Sequence, residues 1–257
     1  MIDLYKGDCL QVMDDLIEKG IIVDAIITDP PYGTTACKWD SIIPFDKMWL
    51  RLNKLIKPNG VIVLFGSEPF SSSLRMSNLK NYRYDIVWEK DKASNILNSN
   101  RQVLKIHENI SIFYKKQCNY NPQKTKLDKP YTHKNRSVKS DNFGSNGSNY
   151  DENGYTVYTH SFPKSIQRFS KDNGGKGVHP TQKPVALMEY LIKTYTNENE
   201  LVLDNTAGSG TTAIACLNTN RQFIVMEKEQ KYYDIILKRV GDFNKKFETQ
   251  TLFGNEM

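Results

Sequence analysis

The chain has 257 residues, 39% of them hydrophobic and 25% charged, and a formal net charge of +6, so it can bury one large core or one core with an inserted module. No apolar stretch approaches the roughly 20 residues that span a bilayer, and the first residues lack a signal-peptide pattern, so we expect a cytoplasmic protein without membrane contact. The scattered cysteines and histidines have no metal-ligand spacing, which argues against a disulfide scaffold and predicts no bound metal.

Strands and helices alternate along the first 114 residues. The predicted strands are Ile2–Tyr5, Ile21–Thr28, Val61–Phe65, Tyr84–Trp88 and Asn109–Tyr114. The predicted helices are Cys9–Lys19, Phe45–Ile56 and Ser71–Leu79, with a turn at 57–60 and a further helix before Asn109. This alternation indicates an α/β fold with a mostly parallel sheet that is covered by helices on both faces.

The motif Asp29-Pro30-Pro31-Tyr32 follows the second predicted strand. Open α/β sheets bind their ligands at this carboxyl edge. Asp29 can accept a hydrogen bond from an exocyclic amine, and so can the carbonyl oxygen of Pro30, which the fixed φ of two prolines holds in place. Tyr32 can stack on a base that has left a duplex. The motif therefore suits methylation of a nucleobase amino group, with a plain strand-ending turn as the alternative.

Positive charge is concentrated in the middle of the chain. From Phe113 to Lys183, thirteen Lys and Arg residues accompany only five Asp and Glu residues. Residues 115–178 have few aliphatic side chains, so we expect a loop-rich insert without a core of its own. Its interleaved basic and aromatic residues suit phosphate contact and base stacking, although a solvated lysine-rich loop has a similar composition. The candidate nucleic-acid-binding residues are Lys124, Lys126, Lys129, Arg136, Lys139, Lys164 and Arg168.

Regular patterning resumes at His179. The predicted elements are helices at Pro184–Thr194, Ala213–Leu217 and Tyr232–Val240 and strands at Leu201–Asp204 and Phe223–Met226, with no signal after Phe247. We therefore divide the chain into a first half, an insert, a second half and a tail, which are residues 1–114, 115–178, 179–247 and 248–257.

Two further motifs belong to the second half. The segment Asp204–Thr212 joins a strand to a helix, and its small residues let backbone N–H groups approach a ligand. Glu227 ends the next strand, where a carboxylate can bind both hydroxyls of a ribose. Together they indicate an adenosine-containing ligand, either a nicotinamide dinucleotide or S-adenosylmethionine. The segment His179–Pro184 precedes a helix, so Lys183 can hold a carboxylate such as that of methionine, with a helix-capping turn as the alternative.

The order of these motifs, from Gly7-Asp8-Cys9 through Glu227, resembles that of the β class of prokaryotic and phage DNA amino-methyltransferases. In this class the catalytic half precedes the cofactor half, a circular permutation of the Rossmann-like methyltransferase fold. The resemblance implies that the insert is a target recognition region and that Asp29, Pro30, Pro31 and Tyr32 are catalytic. The candidate cofactor residues are Asp8, Cys9, Asp29, His179, Thr181, Lys183, Asp204, Thr206, Ala207, Gly208, Ser209, Gly210, Thr211 and Glu227.

One departure from the family pattern is visible. The family commonly has Pro-Phe where this chain has Asn205-Thr206. The contact that the family makes through the Phe is therefore not available here.

The resemblance implies a site-specific DNA methyltransferase that moves a methyl group from S-adenosylmethionine directly to N6 of a flipped adenine. In this family an Asp at position 29 goes mostly with adenine N6, and a Ser there goes with cytosine N4, so N4-cytosine methylation is the first alternative. The chain has no Pro-Cys dipeptide, which argues against the cysteine-nucleophile route to 5-methylcytosine.

Two alternatives come from other classes of protein, a catalytically silent DNA-binding relative and a nicotinamide-dependent oxidoreductase. The presence of Asp29, Tyr32, Gly208, Gly210 and Glu227 weighs against the first. The expected partner is DNA. A cognate restriction enzyme, the recognition sequence and the choice between monomer and homodimer stay open at this point.

Overall fold

The computed structural model describes residues 1–34, 40–134, 155–170 and 182–253. The chain comprises a larger unit, Met1–Asn121 with Ser165–Met257, and a smaller unit, Pro122–Lys164. The strands among the described residues are β1 (Ile2–Lys6), β2 (Val23–Thr28), β3 (Ile56–Gly66), β4 (Tyr82–Ser94), β5 (Lys105–Phe113), β6 (Thr125–Lys134), β7 (Tyr155–Ser161), β8 (Ile166–Arg168), β9 (Leu201–Asp204) and β10 (Gln222–Glu227). The helices are α1 (Cys9–Glu18), α2 (Phe45–Leu55), α3 (Phe70–Met76), α4 (Val185–Tyr195), α5 (Thr211–Asn218) and α6 (Gln230–Phe253).

The larger unit is built on one sheet with the strand order β1-β10-β9-β2-β3-β5-β4-β8 in the described part of the chain. Neighbouring strands are parallel except at β5, which is antiparallel to both β3 and β4. The predicted α/β fold with a mostly parallel sheet is therefore confirmed. Strand β9 of the second half lies directly beside β2 of the first half, so the two halves of the sequence form a single sheet.

Both faces of this sheet are covered by helices. Ala25 and Ile27 on β2 pack into one buried cluster with α4, α5 and α6. Ile26, between them, points to the opposite face and packs with α1, α2 and α3. A strand that is buried on both faces has a continuous apolar sequence instead of an alternating one, which explains the run that predicted β2. Each fully buried aliphatic side chain contributes roughly 1.5–3 kcal/mol to the free energy of folding. The packed core therefore holds the carboxyl ends of the strands in fixed positions.

Two local predictions in the first half were wrong. Strand β3 starts at Ile56, directly after α2, and includes the residues 57–60 that were predicted as a turn. In place of the predicted turn, the pairing of β2 with β3 has a register shift, because Val23 pairs with Ile56 while Ala25 pairs with Val61. The helix predicted before Asn109 is also absent, since a 3₁₀ turn at Ile96–Asn98 leads into β5. Antiparallel pairing with β4 overrides the local pattern there.

The insert and the C-terminus also contain more structure than the sequence predicted. In the smaller unit, β6 and β7 form an antiparallel pair whose Tyr131 and Tyr158 rings stack with centroids 5.2 Å apart. Strand β8 joins the edge of the main sheet beside β4. Helix α6 continues through Phe253, beyond its predicted end at Val240. No helix within the described ranges is long and apolar enough to cross a membrane.

The turn before α5 gives a testable constraint on the fold. Gly210 has φ of +77°, and a Cβ at that position would lie 2.9 Å from Cγ1 of Ile236. We expect Gly210→Ala to lower the free energy of unfolding by about 1–3 kcal/mol, because both the backbone and the packing oppose it. Gly241→Ala is the matched control, since a Cβ there has nothing within 4 Å and should stabilise helix α6 by about 0.5–1 kcal/mol. Urea denaturation of both variants measures their free energies of unfolding. Equal values would contradict the conclusion that a side chain at position 210 strains the fold.

Candidate active site

A cavity of about 500 Å³ lies in the larger unit at the carboxyl ends of β2, β9 and β10. It brings together most of the residues that the sequence predicted. Those that line it are Asp8, Cys9, Asp29, Pro30, Pro31, Tyr32, Lys183, Asp204, Thr206, Ala207, Gly208, Ser209, Thr211 and Glu227. Gly210 lies just outside the lining as the residue that precedes α5. His179 and Thr181 fall outside the described residues.

The carboxylate of Asp29 is held from two sides. The hydroxyl of Tyr32 donates to Oδ1 at 2.5 Å, and the ammonium of Lys183 donates to Oδ2 at 2.5 Å. The Tyr32 ring stacks on Phe70, with ring centroids 5.0 Å apart, which fixes the direction of its hydroxyl. An ionised carboxylate has about four acceptor positions, so each oxygen keeps one position for a further donor.

Lys183 belongs to a buried row of alternating charges. Its Nζ lies 2.5 Å from Asp29 and 3.2 Å from Oε2 of Glu108, whose Oε1 lies 3.2 Å from Nζ of Lys90. Only 8% of the Lys183 side chain, 16% of Glu108 and 7% of Lys90 is exposed. Sequence reasoning missed the roles of Glu108 and Lys90, because no motif marks them. They meet through the pairing of β4 with β5, in which Trp88 lies opposite Glu108.

Burial and pairing shift the pKa values of this row in different directions. Burial raises the pKa of Asp29 against the opposing effect of Lys183. Burial also works against the charge of Lys183, but Asp29 and Glu108 outweigh it and its pKa is raised. The pKa of Glu108 is lowered, because the two lysines overcome its burial. Asp29 is therefore a stronger proton acceptor than an ordinary carboxylate.

Hydroxyl groups join the Asp204–Thr212 turn to the Asp29–Tyr32 turn. Asp204 accepts from Thr28 Oγ1 at 2.7 Å, from the backbone N–H of Thr206 at 3.1 Å, and from the hydroxyl of Thr212. The Thr206 hydroxyl lies 2.6 Å from that of Thr28 and donates to the carbonyl oxygen of Asp29 at 3.1 Å. Burial raises the pKa of Asp204 to about 6. The threonine that departs from the family pattern thus joins the two turns.

The cavity-lining groups that come from the second half of the chain fit an adenosine-containing cofactor. Glu227 accepts from the backbone N–H groups of Gly208 and Glu229, each at 2.8 Å, which leaves acceptor positions on both oxygens. Asn205 lines the cavity, and its buried amide makes no hydrogen bond of standard geometry among the described residues, although it lies near the Cys9 thiol. A buried polar group without a partner is costly, and a polar ligand would supply one.

The first helix supplies another wall of the cavity. Asp8 caps α1, because its Oδ1 accepts from the backbone N–H of Leu10 at 3.0 Å. Burial raises the pKa of the neighbouring Cys9 to about 11, so this thiol stays protonated at neutral pH and is a poor nucleophile.

The candidate nucleic-acid-binding residues lie in both units. Lys124, Lys126, Lys129 and Lys164 belong to the smaller unit and are exposed. The Nζ of Lys124 lies 4.5 Å from the ring centroid of Phe162. Arg168 lies instead on β8 of the larger unit, where its Nε is 2.7 Å from Oε2 of Glu89. The remaining two candidates, Arg136 and Lys139, fall outside the described residues.

A mostly parallel α/β sheet that brings an Asp-Pro-Pro-Tyr turn and a turn of small residues onto one cavity is typical of Rossmann-like methyltransferases. Comparison with known proteins gives the family. The model of the N6_N4_Mtase family, described as DNA methylase, matches residues 23–238. The chain belongs to this family of DNA amino-methyltransferases. S-adenosylmethionine is the family's cofactor, and the cavity described above fits it.

Individual relatives agree with this assignment. The Type II methyltransferase M.HpaI of Haemophilus parainfluenzae is 28% identical over 254 residues, which cover 94% of this chain and 75% of the relative. The crystal structure of the M1.HpyAVI–SAM complex is similar with a TM-score of 0.65 and 28% identity, over 93% of this chain and 99% of that one. The cytosine-N4-specific PvuII DNA methyltransferase shares the fold at 17% identity, with a TM-score of 0.61 over 91% of this chain and 84% of that one.

The row of buried charges yields a stability prediction. We expect Lys183→Met to destabilise the fold by about 3 kcal/mol, because Asp29 and Glu108 then lose a shared buried partner. Adding Asp29→Asn to that variant should restore part of the loss, since Glu108 and Lys90 still balance each other. Denaturation of the wild type and both variants tests this. A double variant no more stable than Lys183→Met would show that charge balance is not the cause.

We also expect the loss of stability in Lys183→Met to depend on pH. Without Lys183 the pKa of Asp29 should rise further, since Lys183 opposes the effect of burial. A carboxyl group whose folded pKa exceeds its unfolded value costs stability at higher pH and loses that cost once it is protonated. The stability gap between wild type and Lys183→Met should therefore narrow as the pH is lowered. Denaturation over a pH series measures the gap, and a constant gap would contradict the assignment to Asp29.

Proposed function

We propose that this protein is a site-specific DNA methyltransferase that methylates N6 of an adenine flipped out of the duplex. The observation that carries the proposal is the meeting of the Asp29–Tyr32 turn and the Asp204–Thr212 turn on one cavity. Membership of the DNA methylase family and similarity to Type II methyltransferases support methyl transfer to DNA. The choice of adenine N6 over cytosine N4 rests on the Asp at position 29. The similarity to Type II methyltransferases also supports a restriction enzyme of matching specificity as partner.

Residues of the second half hold the cofactor in this proposal. S-adenosylmethionine, when bound, supplies a methyl group on a positively charged sulfur. Glu227 would accept from the ribose hydroxyls, because its carboxylate is oriented by two backbone N–H groups. Asp8 and Cys9 would lie near the adenine ring, as the family resemblance implies, and the buried amide of Asn205 offers both a donor and an acceptor.

The catalytic turn receives the target base. Asp29 and the carbonyl oxygen of Pro30 would accept the two N–H groups of the exocyclic amine and turn its lone pair outward. Positive charge spreads onto the amine as the new N–C bond forms, and a fixed carboxylate stabilises that charge. The raised pKa of Asp29 also suits it to receive the proton that the amine must release. Tyr32 would stack on the base.

Lys183 is a positioning residue in this mechanism. It lies on the Oδ2 side of Asp29, while Tyr32 lies on the Oδ1 side, so the two together fix the plane of the carboxylate. Glu108 and Lys90 hold Lys183 from behind. This gives Lys183 a role other than the contact with the methionine carboxylate that the sequence suggested.

The first test is nucleoside mass spectrometry of unmethylated DNA after incubation with the protein and S-adenosylmethionine. We expect N6-methyladenine. N4-methylcytosine would keep the enzyme class and overturn the choice of base.

We further expect Asp29→Asn to slow transfer about 100-fold or more, because it removes the charge and keeps the shape. DNA affinity should stay near wild type in this variant, and retained transfer would contradict the role of Asp29.

We also propose that the smaller unit contacts DNA phosphates through its exposed lysines. Changing Lys124, Lys126 and Lys129 together to Gln should weaken DNA binding and lower the slope of log K against log salt by about one for each lost phosphate contact. The control changes the exposed Lys47, Lys54 and Lys238 to Gln, with the same loss of net charge. Binding measured across a salt series separates the two sets. Equal slopes would mean that only the overall charge matters.

A further inference from the structure

The hairpin between β4 and β5 ends in an exposed apolar tip, residues 95–104. Leu97 is fully exposed, Val103 is 90% exposed and Ile96 is 65% exposed. Single exposed apolar side chains are ordinary on protein surfaces. Three on one short turn form a concentrated apolar surface, and such surfaces mark sites of interaction.

This tip is an ordered turn. Asn95 has φ of +63°, and its Oδ1 accepts from the backbone N–H of Lys105 at 2.9 Å across the base of the tip. The 3₁₀ turn follows, and the carbonyl oxygen of Asn98 accepts from the N–H groups of Arg101 and Gln102 at 2.8 and 3.0 Å. The backbone therefore presents Leu97 and its neighbours to solvent in a defined position.

The base of the hairpin lines the candidate catalytic cavity. Lys90 and Ser94 on β4 and Glu108 on β5 line that cavity, so the tip begins at the residue after a lining residue. The ammonium of Lys105 bonds to the hydroxyl of Ser67, which anchors the other strand of the hairpin. A duplex that delivered a base to Asp29 would pass beside this tip.

The chemistry of the tip matches DNA better than an apolar protein partner. Residues 95–104 contain no acidic side chain and include the exposed Arg101. On the strand below, the exposed Lys92 is next to the exposed Asp91, so Arg101 supplies the net positive charge there. Exposed Asn98 and Gln102 carry amides, which donate to and accept from base edges. Cations suit the phosphates, amides suit the base edges, and apolar side chains suit the space between stacked bases.

We infer that the tip is a wedge that enters the duplex beside the target base and stabilises the flipped-out state. The inference rests on the proposed function, since only an enzyme that extrudes its substrate base needs such a device. Flipping costs a few kcal/mol of lost pairing and stacking, and least for a mispaired base. Apolar side chains of other DNA-binding proteins insert between base steps, so an apolar side chain that fills the space left by an extruded base can replace part of the lost stacking. Leu97 and Val103 are the side chains best placed to do so.

The test compares a double variant, Leu97→Ala with Val103→Ala, on two DNA substrates. On fully paired DNA we expect methyl transfer to fall about 10-fold or more, because base extrusion has lost its support. On DNA in which the target adenine faces a mismatched base, transfer should return to within about threefold of wild type, since the mismatch lowers the same cost. Leu50→Ala on α2, where the side chain is 57% exposed, is the control and should match wild type on both.

A second readout does not depend on methyl transfer. With 2-aminopurine at the target position, wild type and Leu50→Ala should raise its fluorescence on binding, and the double variant should raise it less. Equal fluorescence, or an equal loss of transfer on paired and mismatched DNA, would overturn the wedge. A change from dimer to monomer in the double variant would also overturn it and assign the tip to self-association. Absence of transfer by the wild type on every DNA would instead refute the proposed function.

Discussion

The parallel pairing of β2 with β9 is the contact on which the whole site depends. Ala25 lies opposite Val202 and Ile26 opposite Leu203, so two segments more than 170 residues apart in sequence leave the sheet at the same edge. Asp29 follows one strand and Asp204 ends the other. The hydroxyls of Thr28 and Thr206 then join the turns directly. The distance between the Asp29–Tyr32 turn and the Asp204–Thr212 turn is therefore set by backbone pairing, and not by flexible loops.

Buried charge is the second constraint, and it explains why four ionisable residues lie together. A single carboxylate at Asp29 would be largely neutralised by burial, and a single lysine there would lose its proton. The alternating row from Asp29 through Lys183 and Glu108 to Lys90 gives every charge an opposite neighbour within 3.2 Å. Such a row adds little to net stability, because desolvation offsets the attraction. Its value lies in holding the Asp29 carboxyl group in a fixed orientation, with a pKa that burial raises.

Much of the fold and the core of the site could be predicted because they depend on local signals. Three segments could be predicted from their own few residues. They are the apolar run before Asp29, the small residues after Asp204 and the acidic end of β10. Glu108 and Lys90 could not be predicted, since only the register of β4 against β5 brings them to Lys183. The extra strands of the insert and the full length of α6 likewise depend on pairing and packing that local composition does not encode.

The departure at Asn205-Thr206 shows why a family motif does not transfer residue by residue. Where the family resemblance leads us to expect Pro-Phe, this chain has a hydroxyl that donates to the carbonyl oxygen of Asp29 and a buried amide that lines the cavity. Thr206 instead links the Asp29–Tyr32 turn to the Asp204–Thr212 turn through its hydroxyl. The amide of Asn205 is a buried polar group that lines the cavity. The same cavity can be built from different residue types because its edge is fixed by the sheet.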